Sequence, residues 1–146
     1  MKTGLSFTAS LALLCCVALA DAPSEYQPDV TVKPLLKTTT TSIGQPISYP
    51  KSAEVTALEV EIAPGKETGW HSHPVPGYGY ILSGSVVIEM EGGEQFTFHA
   101  GDAFVEVINT SHNGKNPGSD PVRILVFFSG ETGKPYTVRA TKAQPQ

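Results

Sequence analysis

Between Val55 and Ile62 the chain alternates: Leu58, Val60 and Ile62 fall between Ala57, Glu59 and Glu61. A period of two is the signature of a strand with one buried face. Pro64-Gly65 ends that segment, and comparable blocks follow, each closed by a turn-forming group. Tyr78 to Leu82 runs into Ser83-Gly84, Val86 to Met90 into Glu91-Gly92-Gly93, and Phe96 to Phe98 into Ala100-Gly101-Asp102. Ala103 to Ile108, Arg123 to Phe128 and Tyr136 to Val138 are the remaining predicted strands, and Asn113 to Pro121 (NGKNPGSDP) reads as a polar loop. No stretch carries a helical stripe of apolar residues. Short strands at this spacing, with glycine-rich turns between them, predict an all-β sandwich or barrel.

The N-terminus is different in kind. Lys2 is followed by an unbroken apolar run, Leu11 to Ala20, which ends in the small residues Ala18 and Ala20 ahead of Asp21. The run is shorter than the ~20 residues a membrane-spanning helix needs and suits the apolar part of an export signal. Residues 1–20 are read as a signal peptide, and the mature chain as secreted or periplasmic with no membrane association after cleavage. Residues 21–37, interrupted by prolines, form an expected N-terminal arm; 38–140 the β domain; and 141–146 a tail. Both cysteines, Cys15 and Cys16, fall in the leader, so neither a disulfide nor a cysteine metal site belongs to the predicted mature domain.

Charge narrows the partners. The chain has 10 Lys and Arg against 14 Asp and Glu, a formal net charge of −4, and no basic stripe. Nucleic acid is therefore excluded as a main partner, because nothing neutralises its phosphates.

Of the four histidines, His71, His73, His99 and His112, the first two stand two apart. On a strand they leave the same face with Cβ atoms roughly 7 Å apart, close enough for both imidazoles to reach one ion. Alone, that pair is a weak signal that reads more readily as two ordinary surface histidines. Its surroundings add to it: Gly65 precedes His71, Gly84 follows, and Gly101, His112 and Asn116 come downstream. This frame resembles the cupin superfamily, whose motifs read Gly-x5-His-x-His-x3,4-Glu-x6-Gly and Gly-x5-Pro-x-Gly-x2-His-x3-Asn. Gly65, His71, His73 and Gly84 are in register with the first motif; Gly101, His112 and Asn116 are in register with the second. The resemblance implies a double-stranded β-helix (jelly-roll) cupin barrel, a metal held by His71, His73 and His112, and a homodimer, with the Thr38–Tyr49 segment as a candidate edge-covering strand.

The chain departs from these motifs at three places. Gly77 stands where the motif has its glutamate, with Tyr78 beside it, and Val107 and Asn109 replace the proline and glycine of the second motif. Glu106 shares strand parity with Phe104 and is the candidate to compensate for the missing carboxylate, as a fourth ligand or as an acceptor for an imidazole N–H. The alternative is a solvated Glu106 at a twisted strand end. Tyr80 is a candidate to donate a phenolic hydrogen bond to substrate, set against an ordinary packing role. Tyr78, Tyr80, Phe96, Phe98, Phe104 and Phe128 are the candidates for an apolar interior. His99 is expected to face solvent, Trp70 to pack on the opposite face from His71, Asn116 to hold a turn, and Arg123 to lie on the surface.

Three neutral ligands leave a divalent ion its full charge and several open positions. Such a site favours small anionic, chelating organic ligands and lowers the pKa of bound water. The expected cofactor is a divalent transition metal, with Fe2+ first and Mn2+, Zn2+, Ni2+ or Cu2+ as alternatives. The nearest functional resemblance, to three-histidine cupins of dioxygenase type, ranks a metal-dependent oxidoreductase of that type first, and isomerase or decarboxylase chemistry behind it. The alternative is a non-catalytic cupin that binds metal or a small ligand as a sensor or accessory protein.

Overall fold

A computed structural model describes residues 29–140. The expected signal peptide, most of the arm, and the tail at 141–146 lie outside the described residues. The compact unit that carries all of the strands begins at Pro34. Among the described residues no helix is long and apolar enough to cross a membrane.

Nine strands follow in chain order: β1 (Ala53–Ile62), β2 (His71–Ser72), β3 (Gly77–Ser83), β4 (Ser85–Met90), β5 (Gln95–His99), β6 (Ala103–Val105), β7 (His112–Lys115), β8 (Val122–Glu131) and β9 (Val138–Arg139). They form two antiparallel sheets, a four-stranded one in the order β1-β8-β3-β6 and a five-stranded one in the order β5-β4-β7-β2-β9. Ile62, Ile81, Ile124 and Phe128 from the first sheet meet Val86, Ile88 and Met90 from the second in one core. This all-β arrangement is consistent with a double-stranded β-helix core. Neither sheet closes on itself, so the observed architecture is two open sheets sharing a core, where a closed barrel was expected.

Alternation explains most of the pairing. β1 buries Ile62, half-buries Leu58 and Val60, and exposes Glu59 and Glu61, as its sequence predicts. It pairs along its whole length with β8, the most apolar strand, from Ala53 opposite Glu131 to Ile62 opposite Val122. The predicted polar loop starting at Asn113 is corrected: Asn113, Gly114 and Lys115 belong to β7, paired with β4 from Met90 opposite His112 to Val87 opposite Lys115. Backbone pairing with a strong neighbour outweighs the weak strand preference of Asn and Gly. Asn116 closes the connection that follows. It is buried, donates through Nδ2 to the carbonyls of Ile62 and Asp120, and accepts the Gly118 N–H.

The Thr38–Tyr49 segment covers an edge, but within its own chain. Ser42 donates from its backbone N–H and its hydroxyl to the Val105 carbonyl at the end of β6. Gln45 brackets Ile108, donating to its carbonyl and accepting its N–H, both at 2.8 Å. These bonds occupy backbone groups that an uncovered edge strand would present to another chain.

Candidate metal centre

The antiparallel register of β2 and β7 sets His71 directly opposite His112. Their rings approach to 4.4 Å between centroids. His73 lies just beyond β2, where a parallel bridge to Ile108 holds it, and its ring is 4.9 Å from His71 and 5.1 Å from His112. One nitrogen from each of the three falls within 4.8 Å of the others. The two sequence motifs, forty residues apart along the chain, thus meet on neighbouring strands of one sheet.

Backbone carbonyls determine which nitrogen each ring presents. Nδ1 of His71 lies 2.7 Å from the Gly69 carbonyl, Nδ1 of His73 lies 2.9 Å from that of Tyr136, and Nδ1 of His112 lies 2.9 Å from that of Thr110. A carbonyl can only accept, so each Nδ1 carries the proton and each neutral ring has its lone pair on Nε2. The Thr137 hydroxyl makes a further 3.1 Å contact with Nδ1 of His73. Burial reinforces neutrality: desolvation lowers the pKa of His73 to about 3 and that of His112 to about 4, against the partial support of their carbonyl partners. Three neutral, oriented imidazoles crowded this closely fit a divalent metal ion, which is the partner their lone pairs share. The cluster is capable of coordinating such an ion. Imidazole accepts the whole first-row divalent series, so these donors do not single out Fe2+.

Beside the histidines is a cavity of about 250 Å³. Its walls are mainly apolar, with Val60, Val86, Ile88, Phe104, Val126 and Phe128 prominent, and no Lys or Arg lines it among the described residues. Glu106 does line it. Its side chain is only 12 % exposed, Oε2 lies 3.7 Å from Nε2 of His112, and burial raises its pKa to about 7. The parity with Phe104 read from the sequence is the observed one.

Tyr80 is placed differently from the expectation. β3 turns Gly77, Gly79 and Ile81 inward and Tyr78, Tyr80 and Leu82 outward. Tyr80 does not line the cavity, so a hydrogen bond from it to a ligand beside the histidines is not available. The cause is steric. A Cβ on Gly79 would stand 2.3 Å from Cζ of Phe104, and one on Gly77 would stand 2.6 Å from Cε1 of Phe128. The rings of neighbouring strands cover the bare backbone at Gly77 and Gly79 and exclude side chains there, while Ile81 fills the same face further along β3. Of the six aromatic residues expected inside, Phe104 and Phe128 line the cavity. Phe96 and Phe98 pack on the core from β5, and Phe98 stacks on Phe104.

The other candidates settle at the periphery. His99 is exposed and bonded to the Ser85 hydroxyl, and Arg123 is an exposed partner of Glu59. Trp70 lines a more polar depression with Arg139, outside the apolar cavity but sharing His71 with it, so Trp70 is not separated from His71 as expected. Tyr136 and Thr137 were read only as part of a last strand. They contribute the carbonyl and hydroxyl that orient His73, and Tyr136 stacks on Phe128. No spacing rule points to them, because the contact spans more than sixty residues of chain.

Residues 58–128 match the family profile Cupin_2, described as "Cupin domain". No curated protein sequence matches the chain. Among solved structures, an uncharacterized conserved protein with a double-stranded β-helix domain from Klebsiella pneumoniae is 18 % identical, with a TM-score of 0.53 over 66 % of this chain and 83 % of that one. The DMSP lyase DddQ from Ruegeria pomeroyi is 22 % identical with a TM-score of 0.54, covering 70 % of this chain and 49 % of the lyase. The oxalate decarboxylase of Lactobacillus farciminis, in a formate complex, is 22 % identical with a TM-score of 0.50, covering 63 % of this chain and 32 % of the decarboxylase. This chain therefore spans about half of the lyase and a third of the decarboxylase. These likenesses are to the fold. They also correct the ranking that put decarboxylase chemistry behind dioxygenase chemistry, since an oxalate decarboxylase stands among the structural neighbours. The profile match, together with a histidine set assembled from both motifs, establishes that this chain contains a cupin domain.

Proposed function

We propose that this protein is an exported, metal-dependent cupin that takes a small organic acid by one anionic end and transforms it by proton transfer without a redox step. The observation that carries this reading is the cavity itself: mainly apolar on its walls, without a Lys or Arg among the described residues, and with its ionisable groups gathered where the three histidines and Glu106 meet, beside Thr68 and Thr137. A divalent ion held by His71, His73 and His112 supplies the positive charge that attracts the anion and acidifies groups bound to it. The apolar walls receive the remainder of the ligand and exclude water. A sugar phosphate is disfavoured, because no Lys or Arg lines the cavity among the described residues to meet its charge. Glu106 stands beside this position, with Oε2 3.7 Å from Nε2 of His112, and adds a carboxylate to the polar end of the cavity, while the proton that lyase, isomerase and decarboxylase reactions move is held or released by a group the ion acidifies. The leader pattern at residues 1–20 supports export.

A second reading, a non-catalytic binder of the same ligands, is favoured by one observation: Gly77 stands where the cupin motif has its glutamate. Calorimetry on the metal-loaded mature protein, with short monocarboxylates, dicarboxylates and sugar phosphates, tests both readings, with product analysis by NMR. Metal-dependent carboxylate binding with product formed and no oxygen consumed is the expected result. Binding without any product moves the protein to the second reading. Carboxylate binding that survives removal of the metal overturns both.

A further inference from the structure

We infer that Glu106 is the carboxylate of this metal centre, transferred from the β3 position where the cupin motif carries glutamate to the segment that crosses in front of it. The inference rests on the metal-binding reading above and adds the donor that the motif lacks.

The space is shared between the two positions. Residue 77 is glycine, and a Cβ built there would lie 2.9 Å from Cγ of Glu106. The volume that a side chain at 77 would enter is thus already taken by the Phe128 ring, 2.6 Å away, and by the stem of Glu106. A carboxylate reaching the centre from β3 and one reaching it from residue 106 exclude each other. The backbone joins the same two positions, since the Glu106 N–H donates to the Gly77 carbonyl at 2.8 Å.

The segment bearing Glu106 is held on every side. Ser42 binds the carbonyl of Val105, and Gln45 brackets Ile108. The N–H of Asn109 donates to the His73 carbonyl at 2.8 Å. Asn109 replaces the motif's glycine and has a φ of 52°, the left-handed region that Asn tolerates better than other non-glycine residues. The chain therefore makes the turn after Ile108 without the motif's glycine, and one of its hydrogen bonds ties the Glu106 segment to a histidine of the centre.

Chemistry completes the assignment. A carboxylate in an apolar cavity is costly unless it is paired or bound to a metal. No Lys or Arg lines this cavity among the described residues, and the ion-pair-range contact of Glu106 is Nε2 of His112, at 3.7 Å. A divalent ion beside three neutral imidazoles gives the carboxylate its counter-charge, and the carboxylate reduces the net charge of the site by one.

The test uses the full mature chain, loaded with Co2+ and titrated against a chromophoric chelator. Visible absorption reports the ligand set, and urea unfolding of the metal-free protein reports folding. Glu106→Gln is expected to weaken Co2+ binding about 10–100-fold and to change the Co2+ absorption. Glu106→Asp, one methylene shorter, should fall between it and the wild type. Gly77→Ala, whose Cβ would press on both the Phe128 ring and the Glu106 stem, should also weaken binding. Should Gly77→Ala fail to fold, the two Glu106 variants carry the test. Wild-type affinity and an unchanged spectrum in Glu106→Gln overturn the assignment. If His112→Ala loses the metal in the same assay, only the carboxylate assignment has failed; if it also keeps the metal, the centre itself is disproved.

Discussion

The five-stranded sheet brings nitrogen donors to the centre, whereas β3 of the four-stranded sheet brings bare backbone. On β2 and β7, His71 and His112 are cross-strand partners, and their Nδ1 atoms are locked by carbonyls close by in sequence. On β3 the inward positions 77 and 79 are glycines, covered by Phe128 and Phe104 of neighbouring strands. Glycine in a strand costs roughly 0.5–1 kcal/mol relative to alanine, and aromatic rings laid over it recover part of that loss. One wall of the site is thus built from what its side chains hold, and the other from the side chains it lacks.

Removing a donor should break this contrast most completely. His71→Ala or His112→Ala is expected to abolish stoichiometric metal, measured by elemental analysis after dialysis; a full equivalent retained in both variants would refute the centre. Filling the bare wall should act on the fold instead. Gly79→Ala sets a Cβ 2.3 Å from the Phe104 ring, so a loss of about 1–3 kcal/mol in urea unfolding is expected from overpacking. Metal stoichiometry should stay at the wild-type value, and its loss would show that β3 also shapes the donor set.

Acid should separate the two walls next. In the metal-free protein His73 and His112 have pKa values pushed down to about 3 and 4, whereas the unfolded chain takes up those protons near pH 6.5. Their contribution to stability is present above pH 6.5 and is lost as the pH falls towards their folded values. Glu106, pushed up to about 7 from 4.5, works in the opposite direction. Its contribution is present below pH 4.5 and is lost as the pH rises through 7. Two histidines outweigh one glutamate, so the urea midpoint should fall between pH 6.5 and 4.5, and more steeply below 4.5, where Glu106 is protonated in both states. A midpoint that holds steady or rises on acidification would contradict the neutral-histidine account. Away from both walls the effect should be smallest: Arg123→Ala breaks an exposed pair with Glu59 and should change stability by less than about 1 kcal/mol.

Much of this was legible in the chain. The period-two pattern of Leu58, Val60 and Ile62 identified β1 and its buried face, and the resemblance to the cupin motifs picked out His71, His73 and His112, the three histidines that cluster. The parity of Glu106 with Phe104 placed it on the cavity side. Two readings went astray for the same reason. A strand pattern such as Gly77-Tyr78-Gly79-Tyr80 has two phases, and hydrophobicity favours turning the tyrosines inward. The structure turns them outward, because Phe104 and Phe128 already occupy the inner volume. β7 was read as loop because Asn113 and Gly114 are poor strand formers in isolation. Its pairing with β4 is a property of the neighbouring strand, not of those residues.

The sequence by itself determined the all-β class, which three histidines fall in register with the cupin motifs and the absence of a carboxylate at position 77, because residue type and motif spacing are local properties. Only the tertiary structure decided which face of β3 is inside, that the Tyr136 carbonyl orients His73, and that Phe128 and Glu106 share the space left bare at Gly77. These outcomes depend on atoms brought together from distant parts of the chain. Volume already taken by one side chain is what forbids another, and no single segment carries that information.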